Sequence, residues 1–161
     1  MSELLFNELP RPTFRWLRVN HTVSSLAGED TAVQSIAVEA NKDILSPLPV
    51  GTALLDGNYE GANKEAVHVL VEKAEGYAIN VPPKAKEVVG IRIDANARVA
   101  NRFQFIVGEG AELEVQFYVT GSGDALTNVS YLNEYDVKED GKVVVKKVNL
   151  LPEHVQHIEH R

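Results

Sequence analysis

The sequence predicts a mostly β protein, and three observations support this prediction. From residue 66 onward, short segments rich in Val, Ile, Phe and Tyr are separated by Gly, Pro, Asn or Asp, which is the pattern of strands joined by turns. Many of these segments alternate apolar with polar residues, the period of a strand that has one buried face. A turn pattern also recurs along the chain, as it does in a β-solenoid and in a β-sandwich or jelly roll. The pattern alone leaves these architectures open.

Composition argues against several classes of function. The 161 residues are enough for one domain with a core. Sixteen basic and twenty-three acidic residues give a net charge of −7, which argues against binding to the phosphates of nucleic acids. The sequence has no cysteine, which excludes disulfides, cysteine nucleophiles and cysteine-ligated iron–sulfur clusters within it. We find neither a secretory signal pattern nor an apolar run of membrane-spanning length, and we therefore expect a cytoplasmic protein that binds no membrane.

Residues 1–65 are predicted to form an N-terminal arm and a mixed region. Two prolines predict an extended arm over Leu9–Pro12, because proline fixes φ and disfavours helix in the residue before it. A phenylalanine and the single tryptophan then give this arm an apolar anchor. Turn signals at Ser46–Pro49 and Asp56–Asn58 predict loops, with short strands around them.

Residues 66–161 are predicted to form an all-β core, since helical periodicity is nearly absent there. The predicted strands are Ala66–Val71, Tyr77–Val81, Val88–Ile93, Phe103–Val107, Leu113–Phe117, Val129–Val137 and Val143–Val145.

An internal repeat runs through this core. Each copy has an apolar residue, a short polar turn, a small residue and the apolar start of the next strand. Copies occur at Ile93–Val99, Val107–Leu113 and Val137–Val143, and a weaker relative occurs at Val81–Ala85. The first two copies lie 14 residues apart and the second two lie 30 apart. Such self-similarity is typical of a solenoid, in which stacked coils bury a core that a single coil cannot bury.

Several segments resemble the SufB/SufD family, the scaffold subunits of the SUF system for iron–sulfur cluster assembly. The segments that carry the resemblance are Asn7–Asn20, with its Leu-Pro-x-Pro-Thr arm, Ile79–Ala85, Phe103–Phe117 and Asn133–Ile158. The resemblance implies a right-handed parallel β-helix core and a non-catalytic role as an assembly scaffold. It also implies a SufC-type ATPase and a SufB/SufD-like subunit as partners, in a homo- or hetero-oligomer.

The same resemblance implies that the sequence corresponds to the N-terminal part of a short SufD-like member and is truncated in mid-coil at Glu159–Arg161. The family's docking helices and its functional Cys and His positions have no counterpart here, so no catalytic, cofactor-binding or metal-binding residue can be carried over. An iron–sulfur cluster is implied only for the full assembly. We expect the open last coil to self-associate.

Three histidines near the end of the sequence are the best metal candidates. His154, His157 and His160 are spaced by three, with Glu153 and Glu159 beside them. On a helix they would share a broad face that suits zinc or nickel. On a strand the middle histidine points to the opposite side, and the valine and isoleucine between the histidines favour a strand. A cupin-like metal-dependent enzyme that uses these histidines therefore remains an alternative, as does a β-sandwich ligand-binding module.

Three other features have ordinary structural interpretations. Gly121–Asp124 lacks the lysine and hydroxyl residue of a phosphate-binding loop and is predicted to be a flexible turn. His68 lies in an apolar segment and is predicted to be a hydrogen-bonded strand residue. Arg11, Arg15 and Arg18 lie beside aromatic residues, and in an acidic chain we expect packing and local ion pairs rather than RNA binding.

Overall fold

The computed structural model describes residues 4–6, 22–24, 36–57, 64–95, 99–121, 128–153 and 155–161. The elements are, in chain order, β1 (Leu4–Phe6), β2 (Thr22–Ser24), β3 (Ile36–Glu39), β4 (Leu45–Leu48), α1 (Lys64–Lys73), β5 (Gly76–Val81), β6 (Lys86–Asp94), β7 (Val99–Val107), β8 (Glu112–Thr120), β9 (Asn128–Val137), β10 (Lys142–Leu150) and β11 (Gln156–His160). The mostly β prediction is confirmed, and every strand predicted after residue 75 lies within one of β5 to β10.

Two mixed sheets contain all of these strands except the antiparallel pair β1–β2. The four-stranded sheet has the order β10-β8-β6-β3, and the five-stranded sheet has the order β11-β9-β7-β5-β4. From β5 to β11, consecutive strands alternate between the sheets, and neighbours within a sheet run parallel. The strands β3 and β4 pair antiparallel with β6 and β5, so each sheet is parallel except at one edge.

The register shows which copies of the sequence repeat are stacked. Val107 pairs with Val81 on one side and with Val137 on the other, at intervals of 26 and 30 residues. Ile93 pairs with Val119 and not with Val107. The copy that begins at Ile93 connects β6 to β7, at the opposite ends of the strands. The alignment of that copy with the others is therefore wrong. The 14-residue offset from Ile93 to Val107 leads from a turn at one end of the strands to a turn at the other end.

The stacked turns share a backbone conformation. Lys84, Gly110 and Asp140 occupy equivalent positions and have φ values of 62°, 62° and 54°. This left-handed region is accessible to glycine and unfavourable for a lysine, so surrounding contacts must hold it. The Lys84 N–H donates to the carbonyl of Glu109 at 2.9 Å, and the Gly110 N–H donates to the carbonyl of Glu139 at 3.0 Å. Each turn is thus hydrogen-bonded to the turn stacked on it.

The main core lies between the two sheets and is aromatic at its centre. Phe117 of β8 stacks on Tyr131 of β9, with ring centroids 5.6 Å apart and planes 13° apart. Phe103 of β7 meets both rings edge-on, at 5.8 and 6.4 Å. Buried Val and Ile side chains of both sheets surround these rings. Removal of this apolar surface from water is the main stabilising contribution to the stack.

The predicted strand over Ala66–Val71 is wrong, since these residues lie in helix α1. Val67, Leu70 and Ala74 recur at helical spacing and are buried against Leu132 of β9. The short run alternates Val with His and Leu, so it fits a period of two and a period of 3.6 almost equally well. The helix packs on the outer side of the five-stranded sheet, in a hydrophobic cluster separate from the main core. No described helix is long and apolar enough to cross a membrane.

The loop predicted over Ser46–Pro49 is also wrong, since Leu45–Leu48 forms β4 and Pro47 pairs with Tyr77. Proline lacks a backbone N–H, and it is tolerated there because β4 is an edge strand. The N–H positions on the open side of an edge strand need no partner in a neighbouring strand. The turn predicted near Gly57 is confirmed by a φ of 65°. The predicted N-terminal arm at Leu9–Pro12 lies outside the described residues. So do its aromatic anchor and the nearby basic residues, namely Phe14, Trp16, Arg11, Arg15 and Arg18.

Candidate functional site

Strands β10 and β11 form open edges at corresponding ends of the two sheets. Within the described residues, each pairs with one neighbour only, β10 with β8 and β11 with β9. The Lys142 N–H donates to the carbonyl of Ala111 at 2.8 Å. Because N–H directions alternate along a strand, the amides of Val143 and Val145 point away from β8. Such an edge is a template for a further strand, supplied by a binding partner.

The space between the sheets becomes polar at these edges. On the four-stranded sheet, Lys147 lies beside Phe117 in the register, where earlier strands place apolar side chains between the sheets. On the five-stranded sheet, Glu159 lies beside Tyr131, and His157 lies beside Val129. An apolar interior is therefore followed by a partly buried polar one. We call this group the Glu159 cluster, and its members are Tyr131, Asn133, Lys147, Asn149, His157, Glu159 and Arg161.

The Glu159 carboxylate is the centre of the cluster. It accepts hydrogen bonds from Nζ of Lys147, from Nε of Arg161 at 2.8 Å and from Nδ2 of Asn133 at 2.8 Å. The Lys147 ammonium also donates to the Tyr131 hydroxyl at 2.5 Å and lies 4.9 Å from the centre of that ring. Two cations therefore share one carboxylate, which leaves the cluster with an excess of positive charge.

Burial and charge change the protonation behaviour of these groups. Burial raises the pKa of Glu159, but hydrogen bonds from Arg161 and Lys147 outweigh this effect and hold the pKa below its ordinary value of 4.5. Burial, together with the neighbouring Glu159 carboxylate, raises the pKa of the Tyr131 hydroxyl well above its ordinary range. At neutral pH the cluster thus holds an ionised carboxylate, two cations and a protonated tyrosine.

His157 is the one candidate histidine whose side chain is described. Its Nδ1 lies 3.0 Å from Nδ2 of Asn149. Burial, followed by the nearby Lys147 ammonium, lowers the pKa of His157 below its ordinary value of 6.5. His154 and the side chain of His160 lie outside the described residues.

A metal centre at these histidines is not tested by the structure, because two of the three side chains lie outside the described residues. Among the described residues, no group of three His, Asp or Glu side chains is arranged to hold a metal ion. The strand predicted around the histidines is confirmed by β11.

Three buried polar atoms near the cluster have no partner within the described part of the chain. They are Oδ1 of Asn133, the hydroxyl of Tyr135 and Nε2 of His157. Burial raises the pKa of Tyr135 to about 12, so its hydroxyl stays protonated at neutral pH. Buried polar groups normally have hydrogen-bond partners. This end of the core therefore has capacity for further polar contacts.

A second polar cluster lies on the outer side of the five-stranded sheet. Arg102 is fully buried and forms an ion pair with Glu134, at 3.0 Å between Nη2 and Oε2. Arg102 Nη1 donates to the carbonyl of Thr52 at 2.7 Å, and the Glu134 carboxylate accepts the N–H of Leu55 at 2.8 Å. Gln104 donates to the carbonyl of Ala53 at 3.0 Å. These contacts tie the segment 52–55, which we call the strap, to the sheet.

Of the other sequence candidates, those within the described residues lie outside both clusters. His68 lies on the exposed side of α1, where its Nε2 is 3.0 Å from the Glu72 carboxylate, so its predicted strand position is wrong. Gly121 directly follows β8, and residues 122–127 after it lie outside the described part. The flexible turn expected at Gly121–Asp124 therefore stays a prediction.

Sequence reasoning missed the Lys147 and Asn149 part of the cluster because it ended the predicted strand at Val145. Continuing the same alternation from Val143 and Val145 places Lys147 and Asn149 on the inner side. The signal was thus a strand whose buried positions change from valine to polar residues.

Comparison with known proteins adds no assignment. No family model matches this chain, and no curated protein or solved structure matches it significantly.

Proposed function

We propose that this chain is a non-catalytic scaffold subunit of SUF-type iron–sulfur cluster assembly, with a parallel β-helix as its core. The observation that supports this proposal is the strand order, in which consecutive strands from β5 to β11 alternate between two sheets and stack in parallel. The repeated left-handed position at Lys84, Gly110 and Asp140 supports the same arrangement. Sandwiches and jelly rolls are antiparallel, so parallel stacking favours the β-helix over those alternatives.

In this proposal the scaffold acts through the open edges of β10 and β11. A SufB/SufD-like subunit adds its strands there, so that main-chain hydrogen bonds supply affinity and side chains supply specificity. A SufC-type ATPase belongs to the same cytoplasmic assembly. The cluster is cargo of the assembly, and this chain binds no cofactor of its own.

Co-purification of this chain with a SufC-type ATPase and a SufB/SufD-like subunit, co-expressed from the same genome, tests the proposal. We expect a stable complex with the unaltered chain. The double substitution Val144→Glu and Val148→Glu should weaken it, since these valines are 37% and 48% exposed on edge strand β10. Val88→Glu is the matched control, because Val88 is 56% exposed on the same sheet but lies on β6, away from the open edge.

Retention of the complex by the control and its loss with the edge variant would support strand addition. Failure of the unaltered chain to bind either protein would reject the SUF assignment. Equal binding by all the variants would reject β10 as the contact.

A further inference from the structure

The open edge of the four-stranded sheet is unusually basic for this chain. Strand β10 carries Lys142, Lys146 and Lys147 and no acidic residue, whereas the whole chain has a net charge of −7. Among the described strands, none other has more than one excess positive charge. Lysines are a common device on strand edges, where they oppose pairing with a like strand.

In one row on the outer side of this sheet, the charges alternate from strand to strand. Lys86, Glu112 and Lys142 lie in one row on β6, β8 and β10. The Lys86 ammonium lies 2.8 Å from the Glu112 carboxylate. Glu114 of β8 also binds Lys146 of β10 at 2.7 Å, but this contact is diagonal, because Glu114 is in register with Val144. Opposite charges across neighbouring strands stabilise pairing, and like charges destabilise it. Continuation of the alternation beyond β10 requires acidic residues.

The inner side of the same edge has the same preference. Lys147 and Arg161 share the single carboxylate of Glu159, so the end of the core has an excess positive charge. Nε2 of His157 and Oδ1 of Asn133 also lack partners within the described residues. A strand that continues the sheet with apolar inner residues would bury these groups without compensation, which is unfavourable.

We propose that the open edge of β10 binds an acidic β-strand of another protein in preference to a second copy of this chain. The partner strand carries carboxylates opposite Lys142 and Lys146 on the outer side and opposite Lys147 on the inner side. β10 of a second copy offers no carboxylate to these lysines. The inference shares the edge used in the proposed function, but it makes no use of the iron–sulfur assignment.

Titration of the full chain with two synthetic peptides, followed by NMR, tests this inference. The first peptide has the nine-residue length of β10, with glutamate at the three positions that face Lys142, Lys146 and Lys147 in a parallel register and valine at the others. The second has lysine in place of each glutamate. We expect the acidic peptide to shift the amide resonances of Val143 and Val145, with an affinity about tenfold higher than that of the basic peptide. About 0.5 M salt should reduce this difference, because it screens exposed charges.

Matched variants locate the effect. Lys142→Gln with Lys146→Gln should remove most of the preference for the acidic peptide. Lys42→Gln with Lys64→Gln changes the net charge equally at exposed positions away from the edge and should keep the preference. Equal affinity for both peptides, or no binding of the acidic one, would overturn the inference. So would concentration-dependent changes of the Val143 and Val145 resonances in the chain alone, since they would report self-association through β10.

The two proposals fail separately. Preference for the acidic peptide together with absence of a SUF complex would reject only the proposed function. Formation of a SUF complex together with equal affinities for the two peptides would reject only the inferred preference of the β10 edge for acidic strands.

Discussion

The two polar clusters use the same chemistry in different surroundings. At Arg102–Glu134, a fully buried cation and a nearly buried carboxylate are bonded by main-chain groups of the strap, and only Nε of Arg102 lacks a partner within the described residues. At Lys147–Glu159, the side chains are 18% and 15% exposed, and neighbouring polar atoms lack partners within the described residues. In the first cluster, both terminal nitrogens of Arg102 and the Glu134 carboxylate are bonded within the chain, whereas the second cluster lies at two open strand edges.

On the proposals made above, this difference separates a structural role from a binding role. A buried ion pair that its own chain completes fixes one conformation, here the attachment of the strap to the sheet. A partly buried pair at an open edge leaves hydrogen-bonding capacity for another molecule. Substitutions in the first cluster should therefore affect stability most, and those in the second should affect stability less.

The largest effect is expected from Glu134→Ala. This change leaves Arg102 as a buried cation without its carboxylate and removes the acceptor for the Leu55 N–H. We expect the free energy of unfolding to fall by about 3–5 kcal/mol, as when one partner of a buried pair is removed. Urea denaturation monitored by circular dichroism measures this free energy.

The control removes both partners. Arg102→Met with Glu134→Leu replaces the pair by apolar side chains of similar size and should recover much of the loss, because no unpaired charge remains. A loss below about 1 kcal/mol for Glu134→Ala would show that water reaches Arg102 and that the strap is not held by this pair.

A smaller effect is expected from Glu159→Gln. The neutral amide weakens the bonds from Lys147 and Arg161, but Arg161 is 59% exposed and Lys147 keeps its contact with Tyr131. We expect a loss of about 1–3 kcal/mol in the same assay. Glu153→Gln, at an exposed position, should change stability by less than about 0.5 kcal/mol. If the two substitutions had equal effects, the Glu159 cluster would have no stabilising role.

Most of the β core could be predicted from sequence, because strands such as β8 alternate buried and exposed residues along their whole length. Helix α1 was missed because its short apolar run fits both periods. β4 was missed because a proline in an edge strand has the same local sequence as a turn. One copy of the repeat was misassigned. The turns that follow Ile93 and Val107 have similar residues, although they lie at opposite ends of the strands.

The clusters were harder to predict for a different reason. Arg102 and Glu134 lie on separate strands, and the strap that completes them has no periodic pattern. Their association depends on three-dimensional packing that local pattern does not encode. Lys147 was within reach of sequence reasoning, because it continues the alternation of Val143 and Val145. Its partner Glu159 was noted only as a neighbour of the histidines.

The smallest expected effect is the pH dependence contributed by His157. Burial and Lys147 hold its pKa below the ordinary value of 6.5, so the unfolded chain binds a proton more readily than the folded one. The contribution of His157 to stability is therefore complete above pH 6.5 and is lost as the pH falls through the lower pKa of the folded state. We therefore expect stability to fall between pH about 7.5 and about 5.5, by less than the loss caused by Glu159→Gln.

His157→Gln isolates this contribution, because the four other histidines of the chain are the same in both proteins. The pH-dependent loss should be smaller in the variant than in the unaltered chain, with the difference measured by urea denaturation at both pH values. Glu159 does not contribute in this range, since its pKa lies below 4.5 and its stabilising effect is lost only at lower pH. Identical pH dependence in both proteins would mean that the imidazole is hydrated in the free chain. The polar end of the core would then be open to solvent before any partner binds, whereas the Arg102 cluster is covered by the strap.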